Sequence, residues 1–200
     1  MKKLVLLVFF SLSPVVVPQS DTSLVLLKNI DSTIVTDVRY ATKNNFTHQI
    51  LYPSKKVYLR KIVAQKLSEA NMYFIKNYNY RIKIFDGYRP LSVQKLMWKI
   101  IPDERYVANP SKGSRHNRGA AVDITLIDST GKQLNMGTGY DNFTSKAHIN
   151  YVKFPGNVLY NRKLLRTVML KFGFQPISSE WWHFDYKTWK RFSILDISTN

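Results

Sequence analysis

Residues 180–186 read EWWHFDY, and this run constrains the fold more than any other stretch of the chain. Large aromatic side chains in close succession read as a β-strand, and rings of that size call for burial. The same run carries Glu180 and His183, although the whole chain has only three glutamates and four histidines. Two readings compete. A lone histidine among aromatics is usually a satisfied core residue, and a lone glutamate is usually solvated. Alternatively, the pair is half of a metal site. In a regular strand, residues i and i+3 face opposite ways. For both to reach one ion, a bulge or the strand's end has to intervene; otherwise His183 alone binds metal and Glu180 approaches from the side.

The chain has no cysteine, which excludes disulfides, thiol nucleophiles and thiolate ligands. Any metal must therefore rest on His, Asp, Glu or water. SRHNRGAAVD (114–123) offers such donors. A loop delivers His116, small residues allow close backbone packing, and a strand delivers Asp123. Imidazole and carboxylate are natural zinc ligands, although histidine-then-aspartate pairs also arise by chance. Two such segments, using two of four histidines, favour metal over coincidence. A hydrolytic zinc site needs three protein ligands, one open position and a base that is not a ligand. His116, Asp123 and His183, with Glu180, fill those roles. No HExxH pattern is present. A third constellation, Asp86-Gly-Tyr-Arg89-Pro, sits at a strand end. Its arginine can aim at a carboxylate or a developing oxyanion, or simply brace the turn against Asp86.

The remaining pattern predicts one α+β domain over residues 21–200, with no repeat or linker. LVLLKNI (24–30) and STIVTDVRY (32–40) contain short β-prone runs, and residues 41–53 read as a loop. Apolar residues at helical spacing predict a helix over 55–78, and further helices are expected over 92–101, capped by Ser92, and over 161–174, closed by Gly173. RIKIFD (81–86) and AAVDITLID (120–128) read as strands, with a turn at 128–132.

Residues 1–20 have the layout of a signal peptide: Lys2 and Lys3, then an apolar stretch broken by Pro14 and serines. Export to the periplasm or beyond is the expectation, with no clean A-x-A cleavage site. The net charge of +17 attracts polyanions. An anionic cell-wall polymer or a membrane surface fits an exported chain. Export and the lack of a recognised motif argue against nucleic acid.

These segments resemble the zinc D-alanyl-D-alanine dipeptidases of the VanX type. SRHNRGAAVD and EWWH are similar to that family's zinc motifs, DVRYATKNNFT (37–47) to its YATxxNFTG segment, FDGYRP (85–90) to its DGYRP segment, and MGTGYDNF (136–143) to its MGxxFDxF segment. The five motifs run in order from about residue 30 to 190. The resemblance implies a compact fold with one Zn2+ on a central antiparallel sheet, held by His116, Asp123 and His183. It further implies Glu180 as catalytic base, Arg89 as stabiliser of the tetrahedral intermediate, and Ser114, Tyr40 and Asp141 lining a dipeptide pocket. His148 is read as structural. The implied reaction is hydrolysis of D-alanyl-D-alanine or a similar small dipeptide. Two alternatives are a D,D-carboxypeptidase acting on longer peptidoglycan peptides and a non-catalytic, zinc-pinned wall binder. His48 departs from the family, which usually has Gly after NNFT.

Overall fold

Ala121–Ile127 are buried without a break, so both faces of this strand are covered and it belongs at the centre of a sheet. The computed structural model, which describes residues 22–199, places it there as β5. The expected signal peptide lies outside the described residues. On one side of β5 runs β4 (Arg81–Asp86), and on the other β7 (Glu180–Tyr186); both are antiparallel to it. Beyond β7 lies β6 (Phe174–Ile177), also antiparallel. The two-residue strand β2 (Val35–Thr36) pairs in parallel with β4. The α+β fold and the antiparallel sheet centre therefore stand as expected, while the β2 edge makes the sheet mixed.

A small second sheet joins β1 (Leu24–Leu26) to β3 (Tyr58–Arg60). Among the described residues four α-helices accompany the sheets: α1 (Leu27–Ile30), α2 (Lys61–Tyr78), α3 (Leu91–Ile100) and α4 (Gly156–Lys171). α2 packs on β4 and α4 on β6. Val63, Leu67, Ala70 and Phe74 turn the buried stripe of α2 inward.

Several boundaries differ from the sequence pattern. The helix expected from residue 55 starts at Lys61, because Tyr58–Arg60 pair with β1 and the buried Arg60 guanidinium bonds the carbonyls of Thr22, Arg118 and Ser193. Within 24–30 only three residues are extended; Leu27–Ile30 make one helical turn. Ser92 does not cap α3. The helix begins at Leu91, and the Ser92 N–H donates to the Asp196 carboxylate at 2.8 Å, a cap supplied by the distant C-terminal segment. α4 begins at Gly156, where Pro155 O accepts from Val158 and Leu159. Gly173 does close that helix, in the left-handed region at φ +86°, with its N–H on Leu170 O.

His48 also stands in the left-handed region, at φ +55°, and is exposed. A Cβ there is unfavourable and glycine escapes the cost. His48→Gly is expected to stabilise the fold by about 0.5–1 kcal/mol, the larger backbone entropy of unfolded glycine offsetting part of the relief. A urea midpoint that does not rise would show that the imidazole compensates its own strain.

Candidate active site

Asp123 on β5 and His183 on β7 are direct cross-strand partners, so their side chains meet on one face of the sheet. His116 comes to the same face from a 3₁₀ turn, His116–Arg118, just before β5. Gly119 ends that turn at φ +66°, and a Cβ there would lie 2.8 Å from Leu24 Cδ2 and 3.3 Å from Arg60 N. Only glycine lets the His116 turn lie this close to β3.

Each of the three side chains is aimed by a partner behind it. His116 Nδ1 lies 2.7 Å from Gly87 O. A carbonyl can only accept, so Nδ1 donates to it and Nε2 is the nitrogen turned inward. His183 Nε2 lies 2.9 Å from Asp185 Oδ1, leaving Nδ1 inward, 2.9 Å from Asp123 Oδ1. Asp123 Oδ2 accepts from Tyr140 OH at 2.9 Å. His116 Nε2 is 3.4 Å from Asp123 Oδ1 and 3.2 Å from His183 Nδ1. One ligand atom from each residue thus lies within 4.8 Å of the others, and all three residues are buried. Two imidazole nitrogens and a carboxylate oxygen, each braced from outside, fit a zinc-type divalent ion.

Without such an ion, the charge balance rests on protons. Burial opposes charge on His183, but hydrogen bonds to Asp123 and Asp185 outweigh it and push its value from 6.5 up to about 10. Burial likewise opposes charge on Asp123, yet His116 and then His183 hold its carboxyl far below the usual range. A metal ion must displace the His183 proton. Zinc binding at pH 7 is therefore expected to release about one proton, with affinity rising as pH climbs toward about 10. Calorimetry in two buffers of different ionisation enthalpy reads this number, and zero release would remove His183 from the ligand set. In the metal-free protein the sign reverses: the raised His183 value stabilises the fold fully below 6.5, and that contribution fades as pH rises through about 10.

Glu180 reaches the centre because β7 bulges. Pro176 pairs with Phe184, but Ile177 pairs with Glu180, so Trp181–His183 stand out of the β6–β7 ladder, while His183 stays paired with Asp123 on the other side. The irregularity that the i, i+3 spacing requires is present. Glu180 Oε2 lies 3.9 Å from His183 Nδ1, beside the three convergent atoms and outside their set. Burial raises its pKa; the nearby histidines and Arg89 restrain the rise, while Asp123 adds to it. Trp182 faces the cavity, whereas Trp181 points away and donates to Thr138 Oγ1 at 2.8 Å. One tryptophan walls the site, not both.

Arg89 follows the turn after β4, where a bulge brings Asp86 opposite Asp123. Its Nε and Nη2 bond Asp86 Oδ2 at 3.2 and 2.6 Å, and Nη1 bonds Gln94 Oε1 at 2.9 Å. It braces the turn against Asp86, as one of the two readings had it, and it also borders the cavity. Each Nη keeps a second N–H beyond these bonds. Tyr40 OH lies 3.2 Å from Asp141 Oδ2, and Ser114 Oγ accepts from Asn117 N–H. Ser114, Tyr40, Asp141, Arg89, Glu180 and the three convergent residues all border one cavity of about 190 Å³. All eight residues singled out in the sequence meet there.

A family model described as D-ala-D-ala dipeptidase matches residues 20–190. The chain belongs to this family. Members similar to it include the D-alanyl-D-alanine dipeptidase of Escherichia coli, 35% identical over 164 residues, covering 82% of this chain and 84% of that one. The D-alanyl-D-alanine dipeptidase of Enterococcus faecalis is 32% identical over 170 residues, covering 74% and 83%. Solved structures similar to it include the LdcB LD-carboxypeptidase, 24% identical with a TM-score of 0.44, covering 67% of this chain and 63% of that chain. Another is the D,D-dipeptidase VanXYg in complex with a D-Ala-D-Ala phosphinate analogue, at 21% and 0.41, covering 66% and 51%.

Sequence reasoning missed the layer behind this dipeptidase-family site. Tyr140 lies inside a recognised motif and Asp185 two residues past one, yet nothing in the sequence says which atom each braces. Arg162 gave no signal at all. Its buried guanidinium bonds the carbonyls of Met136, Lys146 and His148 at 2.7–3.2 Å. It thereby clamps the segment that presents Tyr140 and Asp141. Burial lowers its pKa to about 10.

Proposed function

We propose that this chain is an exported zinc D-alanyl-D-alanine dipeptidase, with one Zn2+ held by His116, Asp123 and His183. The observation that carries this reading is Glu180 standing beside, and outside, three convergent ligand atoms in one small cavity. A purely structural zinc site is normally closed by four protein ligands; three converge here among the described residues. Family membership and the named relatives support the substrate. The layout of residues 1–20 supports export.

When bound, zinc supplies Lewis-acid polarisation of the scissile carbonyl and of water. The protein supplies the rest. Glu180, its proton affinity raised by burial, takes a proton from the attacking water and returns it to the departing amine. Arg89, held rigid by Asp86 and Gln94, offers its remaining N–H groups to the negative charge that develops on the substrate oxygen. Trp182, Phe46 and Phe143 wall the cavity and limit the water around these charges. At about 190 Å³ the cavity is below the ~300–1,000 Å³ of pockets for drug-sized ligands, which suits a dipeptide.

Asp141 is the group that reads the substrate's free ammonium. Burial and then Asp123 raise its pKa well above the ordinary carboxylate value, against the pull of Arg89. An arriving ammonium would pair with the ionised form. A D,D-carboxypeptidase would use the same centre without needing this reader. Asp141→Asn is therefore expected to cut dipeptide kcat/KM by about 10- to 100-fold, a charge-assisted pair's worth, while sparing peptides blocked at that end. Equal damage to both substrates would remove Asp141 from the role.

A further inference from the structure

A dipeptide carries a terminal carboxylate as well as an ammonium, and a carboxylate taken from water into a cavity needs a cationic partner. Three arginines border the cavity: Arg89, Arg105 and Arg115. Arg89 is braced by Asp86 and Gln94 through all three of its nitrogens, and its two remaining N–H groups serve the oxygen of the scissile carbonyl. Arg105 is gripped by Asp103 through Nε and Nη2, and at 77% side-chain exposure its charge is largely screened by water. Arg115 differs from both. It lies between Ser114 and the His116 ligand, and its side chain is 44% exposed. Among the described residues its one ion pair is a 3.3 Å contact from Nε to Asp185 Oδ2. The guanidinium plane is steadied from outside by the Trp189 ring, 4.6 Å away. Neither Nη makes a hydrogen bond among the described residues, so the bidentate end of the fork is free.

Resting on the dipeptidase reading, we propose that Arg115 binds the terminal carboxylate of the substrate, with Ser114 beside it. Asp185 and Trp189 hold the guanidinium in place by its Nε edge and its face, and the two Nη groups receive the carboxylate in a bidentate fork. Asp185 then serves two partners at once. Oδ1 orients the His183 imidazole, and Oδ2 orients Arg115. One carboxylate thereby fixes the distance between the metal-facing nitrogen and the substrate's anchoring point, which sets how far from the metal the scissile bond lies.

The test compares D-Ala-D-Ala with its C-terminal amide, which keeps the scissile bond and lacks the carboxylate. The wild-type zinc enzyme is expected to favour the acid. Arg115→Gln is expected to lose about 10- to 100-fold in kcat/KM on the acid, mostly through KM, and little on the amide, so that the preference collapses. Arg115→Lys, which keeps the charge without the fork, should fall between them. Calorimetric binding of both peptides to zinc-loaded Glu180→Gln, with and without Arg115→Gln, reads the same preference where no turnover occurs. An equal loss on acid and amide, accompanied by reduced zinc content, would give Arg115 a purely structural role through Asp185. An undiminished acid preference in Arg115→Gln would overturn the proposal while leaving the dipeptidase reading intact. Failure of the wild type to cleave either peptide, with acid-selective binding that depends on Arg115, would instead overturn the dipeptidase reading and keep the carboxylate site; failure to bind either peptide would end both.

Discussion

Glu180→Ala should keep its zinc and lose nearly all turnover, a fall on the order of 10³-fold from removing a positioned general base. Glu180 is not among the three convergent ligand atoms, so the metal does not need it. Its distance of 3.9 Å from His183 Nδ1 places it beside the ligand set. Burial, the largest influence on its pKa, raises it, which strengthens it as a proton acceptor. The loss should appear in kcat, because the proton is transferred only as the bond breaks. Activity of the wild type should also fall at acid pH as Glu180 protonates. Metal content by plasma emission, measured beside turnover, separates the possibilities. If zinc leaves with the glutamate, Glu180 is a ligand or a fold element and the proton-transfer role is wrong.

Asp123→Ala is expected to have the opposite signature: zinc content falls and activity falls with it. Asp123 supplies the one anionic ligand atom of the set, and it stands opposite His183 in the β5–β7 register. Removing it leaves two imidazoles to hold the ion and strips Tyr140 OH of its acceptor. Loss of ligands or of their supporting partners typically costs metal affinity by 10- to 100-fold or more. The His183 imidazole also loses the partner that most favours its charged form, so the proton released on metal binding should diminish as well. Full zinc retention in this variant would strike Asp123 from the ligand set.

Much of this site was legible because its residues are chemically out of place in their surroundings. Glu180 and His183 interrupt an aromatic strand, and Asp123 interrupts an apolar one. Polar groups in such runs need a reason, and the reason proved to be a shared centre. The bulge at Trp181–His183 was one of the alternatives the spacing left open, since a flat strand cannot bring i and i+3 together. Elements whose pattern serves two periods were harder. Val57 fits the helical stripe of 55–78 but precedes Tyr58–Arg60, the extended residues that pair with β1. The strand Phe174–Ile177 was hidden by Pro176, which is tolerated because β6 forms the sheet edge. The cap on Ser92 comes from Asp196, over a hundred positions away. Tyr140, Arg162 and the Gly87 carbonyl share this property: their roles exist only once distant segments are in contact.

If this cavity hydrolyses a free dipeptide with the help of a metal, turnover depends on both the dipeptide and the ion. The most direct measurement is release of free D-alanine from D-Ala-D-Ala by the purified chain, with and without a chelator, beside a pentapeptide ending in D-Ala-D-Ala. Chelator-sensitive cleavage of the dipeptide, with the pentapeptide untouched, is the predicted result. A zinc-loaded chain that leaves the dipeptide intact, or one that cleaves it equally well after the metal has been stripped, would contradict the account.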